Sequence, residues 1–188
     1  WLPAIVEMRF TDVSGQIGTS ADFRDHFVCL SQLWSSPWGF GGSAKGCLDG
    51  LSFMSGKLHI ITGALDLLFW LIRKPKVPGT AGTLVLGFIA VGAGVFLMSA
   101  ASGVIWETVS GFAYLQYPWR FLVYATFGLS LLGGVLVSLF RTRLMRLFLC
   151  VVIVLGSLSL YAKWFGPKYL YSRSASEFET PQELRMRV

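Results

Sequence analysis

Four long apolar runs pattern the second two-thirds of the chain: Leu58 to Ile72, Thr80 to Ile105, Phe121 to Phe140 and Leu147 to Phe165. Polar stretches rich in Arg, Lys or Gly separate them. Runs this long predict helices that cross a bilayer, because an open strand cannot satisfy its backbone groups in lipid. The first run holds fifteen residues, interrupted by His59, Asp66 and small residues. Fifteen residues cover about 22 Å of a hydrocarbon core about 30 Å thick. That helix is therefore expected to begin earlier, near Leu51, or to tilt little. The predicted fold is an all-α membrane protein with about four transmembrane helices, over 57–73, 80–105, 120–140 and 147–165.

The loops orient the helices. Arg73, Lys74 and Lys76 lie between the first two runs, and Arg141, Arg143 and Arg146 between the last two, with no acid nearby. Both loops fall on one side if all four runs span, and basic loops mark the cytoplasmic side. Residues 1–56, the connection 104–120 and the tail 166–188 are then extracytoplasmic. Trp106, Tyr114, Tyr117, Trp119, Trp164, Tyr169 and Tyr171 fall at the expected outer ends of helices, as in an aromatic belt.

The outer region 14–50 mixes seven glycines with Phe23, Phe27, Trp34, Trp38 and Phe40. Disordered linkers lack such aromatics. An ordered loop is expected, with a short helix over 21–33, capped by Thr19 or Ser20 and carrying Asp22 in its first turn. Ser35 to Gly42 reads as a turn region.

Composition agrees with the pattern. Of 188 residues, 54% are hydrophobic and 14% charged, against about 25% charged in soluble domains. Net charge is +6, but the basic residues sit at the ends of apolar runs, where they orient helices, so nucleic acid is excluded as a partner and the bilayer is the expected one. Trp1 to Phe10 has neither a basic n-region nor a cleavage site of small residues. The start at Trp1 without Met and the stop at Val188 in a polar stretch read as a fragment of a larger polytopic protein. The polar residues after Tyr171 read as the start of an extracytoplasmic domain.

Candidate chemistry is sparse. Gly39, Gly41 and Gly42 lack the GxxxxGK[ST] pattern of a nucleotide loop. His26, Cys29 and Cys47 are too few for a closed zinc site, so no metal ligand set and no cofactor is evident. Cys29 and Cys47 share the outer loop, and their spacing leaves both the bonded and the free state open. Cys150 lies in an apolar run as a small core residue. Asp66, with His59 on the same helical face, is an intramembrane polar site. Ionisable groups in a spanning helix face the bundle interior or a cavity, and helical spacing adds Gly63, Trp70 and Arg73 to that face. Glu7, Asp12, Glu107 and Arg120 sit at or beyond the outer interface as candidate substrate-binding residues. Arg120 suits either a phosphate or the role of a snorkelling helix anchor.

The stretch Leu115-Gln116-Tyr117-Pro118-Trp119-Arg120-Phe121-Leu122, with Trp106-Glu107 before it, resembles the QFPWRFL motif of bacterial membrane proteins labelled "6-pyruvoyl-tetrahydropterin synthase-related". These are similar to the GT-C superfamily of polyprenyl-phosphate-sugar-dependent glycosyltransferases and to YfhO-type membrane proteins. Trp1-Leu2-Pro3-Ala4 with Glu7, Ser36-Pro37-Trp38-Gly39-Phe40-Gly41-Gly42-Ser43 and Gly56-Lys57-Leu58-His59 resemble three further segments of the same group, while Tyr117 stands where Phe is usual. The resemblance implies a multi-pass protein of the bacterial plasma membrane that transfers a sugar from a polyprenyl phosphate on the extracytoplasmic face. Arg120 would meet the lipid phosphate. Glu7 and Asp12 would serve the acceptor or a divalent metal in the full-length protein. The catalytic acid of such enzymes lies in the first outer loop, which this fragment is expected to lack, so alone it is expected to be inactive. Pterin synthase activity is excluded, because that soluble zinc enzyme needs a His cluster and this chain has two His. The rival reading is a transporter or flippase-type protein with Asp66 as its coupling group.

Overall fold

The computed structural model describes residues 22–39, 41–73, 79–166 and 172. Glu7, Asp12, the first basic loop beyond Arg73, Tyr169, Tyr171 and the expected caps Thr19 and Ser20 lie outside the described residues. Among the described residues the protein is all-helical, and three helical stretches are long and apolar enough to cross a membrane: Thr80–Met98, Pro118–Ser138 and Arg143–Trp164.

The helices are α1 (Leu30–Trp34), α2 (Lys57–Arg73), α3 (Thr80–Met98), α4 (Gly103–Thr108), α5 (Leu122–Ser138) and α6 (Arg143–Tyr161). α3 and α5 form the closest pair, α2 packs on α5, and α6 touches α5 and α2 lightly. The α3–α5 contact is made by backbone. A Cβ on Gly128 would stand 2.6 Å from the Gly87 carbonyl oxygen, and one on Gly94 2.8 Å from the Ala125 nitrogen. Small residues let helices approach this closely, and dispersion and packing then hold them together. Leu84, Leu132 and Val135 fill the rest of the seam.

α2 stays close to the length of its apolar run. Its 17 residues span about 25 Å. It starts at Lys57 rather than near Leu51, because the preceding N–H groups are already committed: Phe53 N–H donates to Ser36 Oγ at 3.3 Å and Ser55 N–H to the Leu33 carbonyl at 3.0 Å. Gly56, at φ 89°, turns the chain into the helix.

The apolar run 80–105 is not one helix. α3 stops at Met98, and α4 follows after a 3-10 turn, Ala100–Ser102. The last carbonyls of a helix need outside donors, and here they find four. Ser99 Oγ donates to Phe96 O at 2.8 Å. Ser102 Oγ and Trp106 Nε1 both donate to Leu97 O at 3.0 Å. Val28 N–H donates to Met98 O at 2.8 Å. Trp106 is thus buried, 2% exposed, among Phe23, Phe27, Phe112 and Phe121. It is a core residue and not a member of an interfacial belt.

α5 is entered through the 3-10 turn Pro118–Phe121, with Pro118 at its first position, where the missing N–H costs nothing. α6 begins at Arg143, four residues before the expected 147, because Thr142 accepts from Met145 N–H at 3.3 Å and caps it. α6 buries none of its residues. Leu144, Phe148, Val151, Val154, Leu155 and Leu158 are all at least half exposed.

Residues 22–56 form a cap over one end of α3 and α5. The single helix expected over 21–33 is two pieces, a 3-10 turn at Phe23–His26 and α1. Asp22 caps the first, accepting from Arg24 N–H at 2.9 Å. A disulfide joins Cys29 to Cys47. Buried Asp49 takes hydrogen bonds from Gln32 Nε2 and, at 2.7 Å, from Ala44 N–H. Gly41 and Gly50 come into backbone contact, with Gly41 N–H donating to Gly50 O at 3.0 Å. Val28, Leu33 and Phe53 then pack on Met98 and Ala125, so cap and helices share one core.

Candidate functional site

The cap end of the bundle is where the charged side chains collect, and its carboxylates are engaged. Glu107 accepts from Arg24 Nη2 at 3.0 Å and Nε at 3.3 Å. Asp22 lies 3.4 Å from the same guanidinium. The Glu107 hydrogen bond, with the charges of Asp22 and Glu107, raises the Arg24 pKa above its ordinary value. Asp25 pairs with Lys45 at 3.5 Å, and Asp49 is held as described. Glu107, expected as a substrate ligand, ties the end of α4 to the start of the cap through Arg24.

Three cap-end cations, Arg120, Lys57 and Lys163, have no ion pair among the described residues. Arg120 is exposed, and its Cζ lies over the Tyr117 ring at 5.4 Å. Tyr117 in turn stacks on Trp119 at 5.4 Å and receives His26 edge-on at 4.9 Å. Trp119 Nε1 donates to Ser43 Oγ at 3.2 Å, and Ser43 Oγ lies 2.7 Å from His26 Nδ1. Cap and α5 entry are therefore stitched together directly beneath the guanidinium. The motif around Arg120 was visible in the sequence. The part played by His26 and Ser43 was not, because it depends on contacts 76 residues apart.

The chemistry of this arrangement suits an anionic ligand. A guanidinium seated on an aromatic face keeps its donors directed outward, at the first turn of an apolar helix. The described carboxylates of the cap, Asp22, Asp25, Asp49 and Glu107, are engaged in the contacts given above. The arrangement offers no metal set, as no three His, Cys, Asp or Glu side chains converge among the described residues.

The other expected polar site lies mid-bundle. Asp66 is 1% exposed, and neither carboxylate oxygen has a hydrogen-bond partner among the described residues. Thr62 and Gly63 are buried beside it; a Cβ on Gly63 would lie 3.2 Å from Leu129 and 3.3 Å from Leu132 of α5. Trp70, expected on the same face, is 42% exposed. His59 is half-buried at the first turn of α2, two turns from Asp66, and its carbonyl accepts from Thr62 Oγ1 at 2.9 Å. The two are about 10 Å apart along the axis and do not form one site.

Among the described residues the protein is all-helical, with three helices suited by length and composition to crossing a membrane and a disulfide-closed cap that presents an arginine without an ion pair. No family model, curated protein or solved structure matches it.

Proposed function

We propose that the chain is the membrane portion of a GT-C-like glycosyltransferase of the bacterial plasma membrane, with Arg120 seating the phosphate of a polyprenyl-phosphate sugar on the extracytoplasmic face. The observation that carries this reading is the Arg120 guanidinium itself, exposed, without an ion pair among the described residues, and held on the Tyr117–Trp119 stack at the entry to a spanning helix. In this reading α2 is the fourth span, short and packed on α5. The cap faces outward, in keeping with a disulfide, which persists in oxidising compartments. Arg143 and Arg146 stand in the first turn of α6, where the helix dipole disfavours cations. A cytoplasmic location accounts for them where local helix physics does not. Glu7 and Asp12 remain the acceptor-side or metal-side carboxylates of the reading.

The test is Arg120→Lys in the full-length protein, read by polyprenyl-phosphate binding in membranes. Lysine keeps the charge and loses the two-pronged geometry. Binding is expected to weaken at least about tenfold, roughly 1.4 kcal/mol, with folding and insertion unchanged. Unaltered binding would leave Arg120 as a helix anchor.

Asp66 favours a second reading, a transporter or flippase-type protein, because a buried carboxyl without a hydrogen-bond partner among the described residues is the kind of group that couples to a proton or cation. Under it, Asp66→Asn abolishes transport in proteoliposomes and leaves lipid-phosphate binding intact. The first reading expects no transport to be lost.

A further inference from the structure

Lys57 and Lys163 line one cavity at the cap end of the bundle. The cavity, of about 260 Å³, is lined by Ser35, Ser36, Lys57, Tyr161, Lys163 and Trp164, with Met54 and Leu160. No acid lines it. Lys57 Nζ stands over the Trp34 ring at 5.5 Å and Lys163 Nζ over Trp164 at 4.6 Å, so aromatic faces hold both ammonium groups while neither meets a carboxylate among the described residues. Lys57 N–H, one of the free donors of the first turn of α2, is spent on Tyr161 Oη at 2.9 Å. Ser36 Oγ is likewise spent, donating to Leu51 O and accepting from Phe53 N–H. What remains for a ligand among the described residues is two cations, the exposed Ser35 hydroxyl and the Tyr161 O–H donor.

A second cavity, of about 320 Å³, shares Met54, Tyr161 and Trp164 with the first and is otherwise lined by Trp38, Ser52 and Phe165. Trp38 and Trp164 stack at 5.6 Å along it. A two-cation chamber thus opens beside an aromatic one, and both lie at the end of Arg143–Trp164, a stretch apolar enough to span. Below them runs the exposed apolar face of α6. The pairing is that of an amphiphile: charge at one level, apolar surface beneath it.

We propose that these joined cavities bind an anionic phospholipid of the bilayer, its phosphate between Lys57 and Lys163 and the start of its acyl chains along Trp38, Trp164 and Phe165. Charge complementarity selects the anion, and the aromatic chamber selects a lipid over free phosphate. The site shares no residue with the Arg120 cluster, and it stands whether or not the chain is a glycosyltransferase.

The full chain in detergent is titrated with phosphatidylglycerol, with diacylglycerol and with inorganic phosphate, and bound lipid is counted by native mass spectrometry. One phosphatidylglycerol is expected to bind at least fivefold more tightly than diacylglycerol, and millimolar phosphate is expected not to displace it. The double variant Lys57→Gln/Lys163→Gln is expected to lose that preference, and Lys57→Arg/Lys163→Arg to keep it. Equal binding of diacylglycerol overturns the proposal on the unmodified chain, whatever the variants do. Displacement by inorganic phosphate overturns the lipid as the source of the anion. Retained preference in the folded Gln variant overturns the assignment to these lysines.

Discussion

The indole N–H of Trp106 donates to the Leu97 carbonyl at 3.0 Å, and in doing so closes the end of a helix nine residues earlier in the chain. Ser102 Oγ shares the same acceptor. Either donor alone satisfies it, so the two are coupled. Trp106→Phe and Ser102→Ala are each expected to cost about 1 kcal/mol, the net worth of a hydrogen bond. Together they leave a buried carbonyl with neither side-chain donor, and the double variant is expected to cost at least about 0.5 kcal/mol more than the sum. Thermal unfolding of all four proteins in detergent closes the cycle; simple additivity would show that Leu97 O finds water instead.

Gly128 is the tightest point of the α3–α5 seam. A Cβ there meets Gly87 O at 2.6 Å and Val91 N at 2.9 Å, both backbone atoms that cannot swing away. Gly128→Ala is expected to destabilise by about 1–3 kcal/mol, the usual range for overpacking. Gly134, two turns along the same helix, meets nothing within 4 Å. Gly134→Ala is therefore expected to be neutral or slightly stabilising, and equal effects of the two substitutions on melting temperature would contradict the seam.

The Cys29–Cys47 bridge closes a loop with a sequence separation of 18. In the denatured, unreduced protein an alkylating agent is expected to modify Cys150 alone, and all three cysteines after reduction. Loops of this size contribute about 3 kcal/mol when closed, so reductant is expected to lower the melting temperature of the cap while leaving the α3–α5 seam protected from hydrogen exchange.

Orientation is checked in a Cys150→Ser background, which keeps the bridge. A cysteine placed at Asp25 is expected to react with an impermeant maleimide in intact cells, and one at Thr142 only after permeabilisation. Labelling of position 142 from outside would reverse the topology.

The apolar runs carried the helices well, because lipid-length hydrophobicity is a local property. They carried the ends of helices poorly. Nothing in Ser99-Ala100-Ala101-Ser102 announces a break. It is made by Val28, Ser102 and Trp106 supplying donors to the last turn, and Val28 lies 70 positions away from the carbonyl it meets. The same holds for the start of α2, where Phe53 and Ser55 have given their N–H groups to the cap. Hydropathy places an aromatic near the end of a run without saying which way it faces, which is why Trp106 reads as a belt residue and is buried. The place of Arg120 at the entry to α5 was legible from its local motif. Glu107 was not, because its partner Arg24 is 83 residues distant. Lys57 and Lys163 were ordinary lysines until folding set them around one cavity.

The bareness of α6 bears on which residues build the core. The seam between α3 and α5, the capped end at Leu97 and the disulfide loop all draw on residues before Arg143. α6 adds only light contacts, among them Gly156 against Leu58 and Tyr161 to the Lys57 N–H. The residues up to 142 therefore contain both described core clusters, and the docking of α6 adds the lysine cavity to a core it does not itself build.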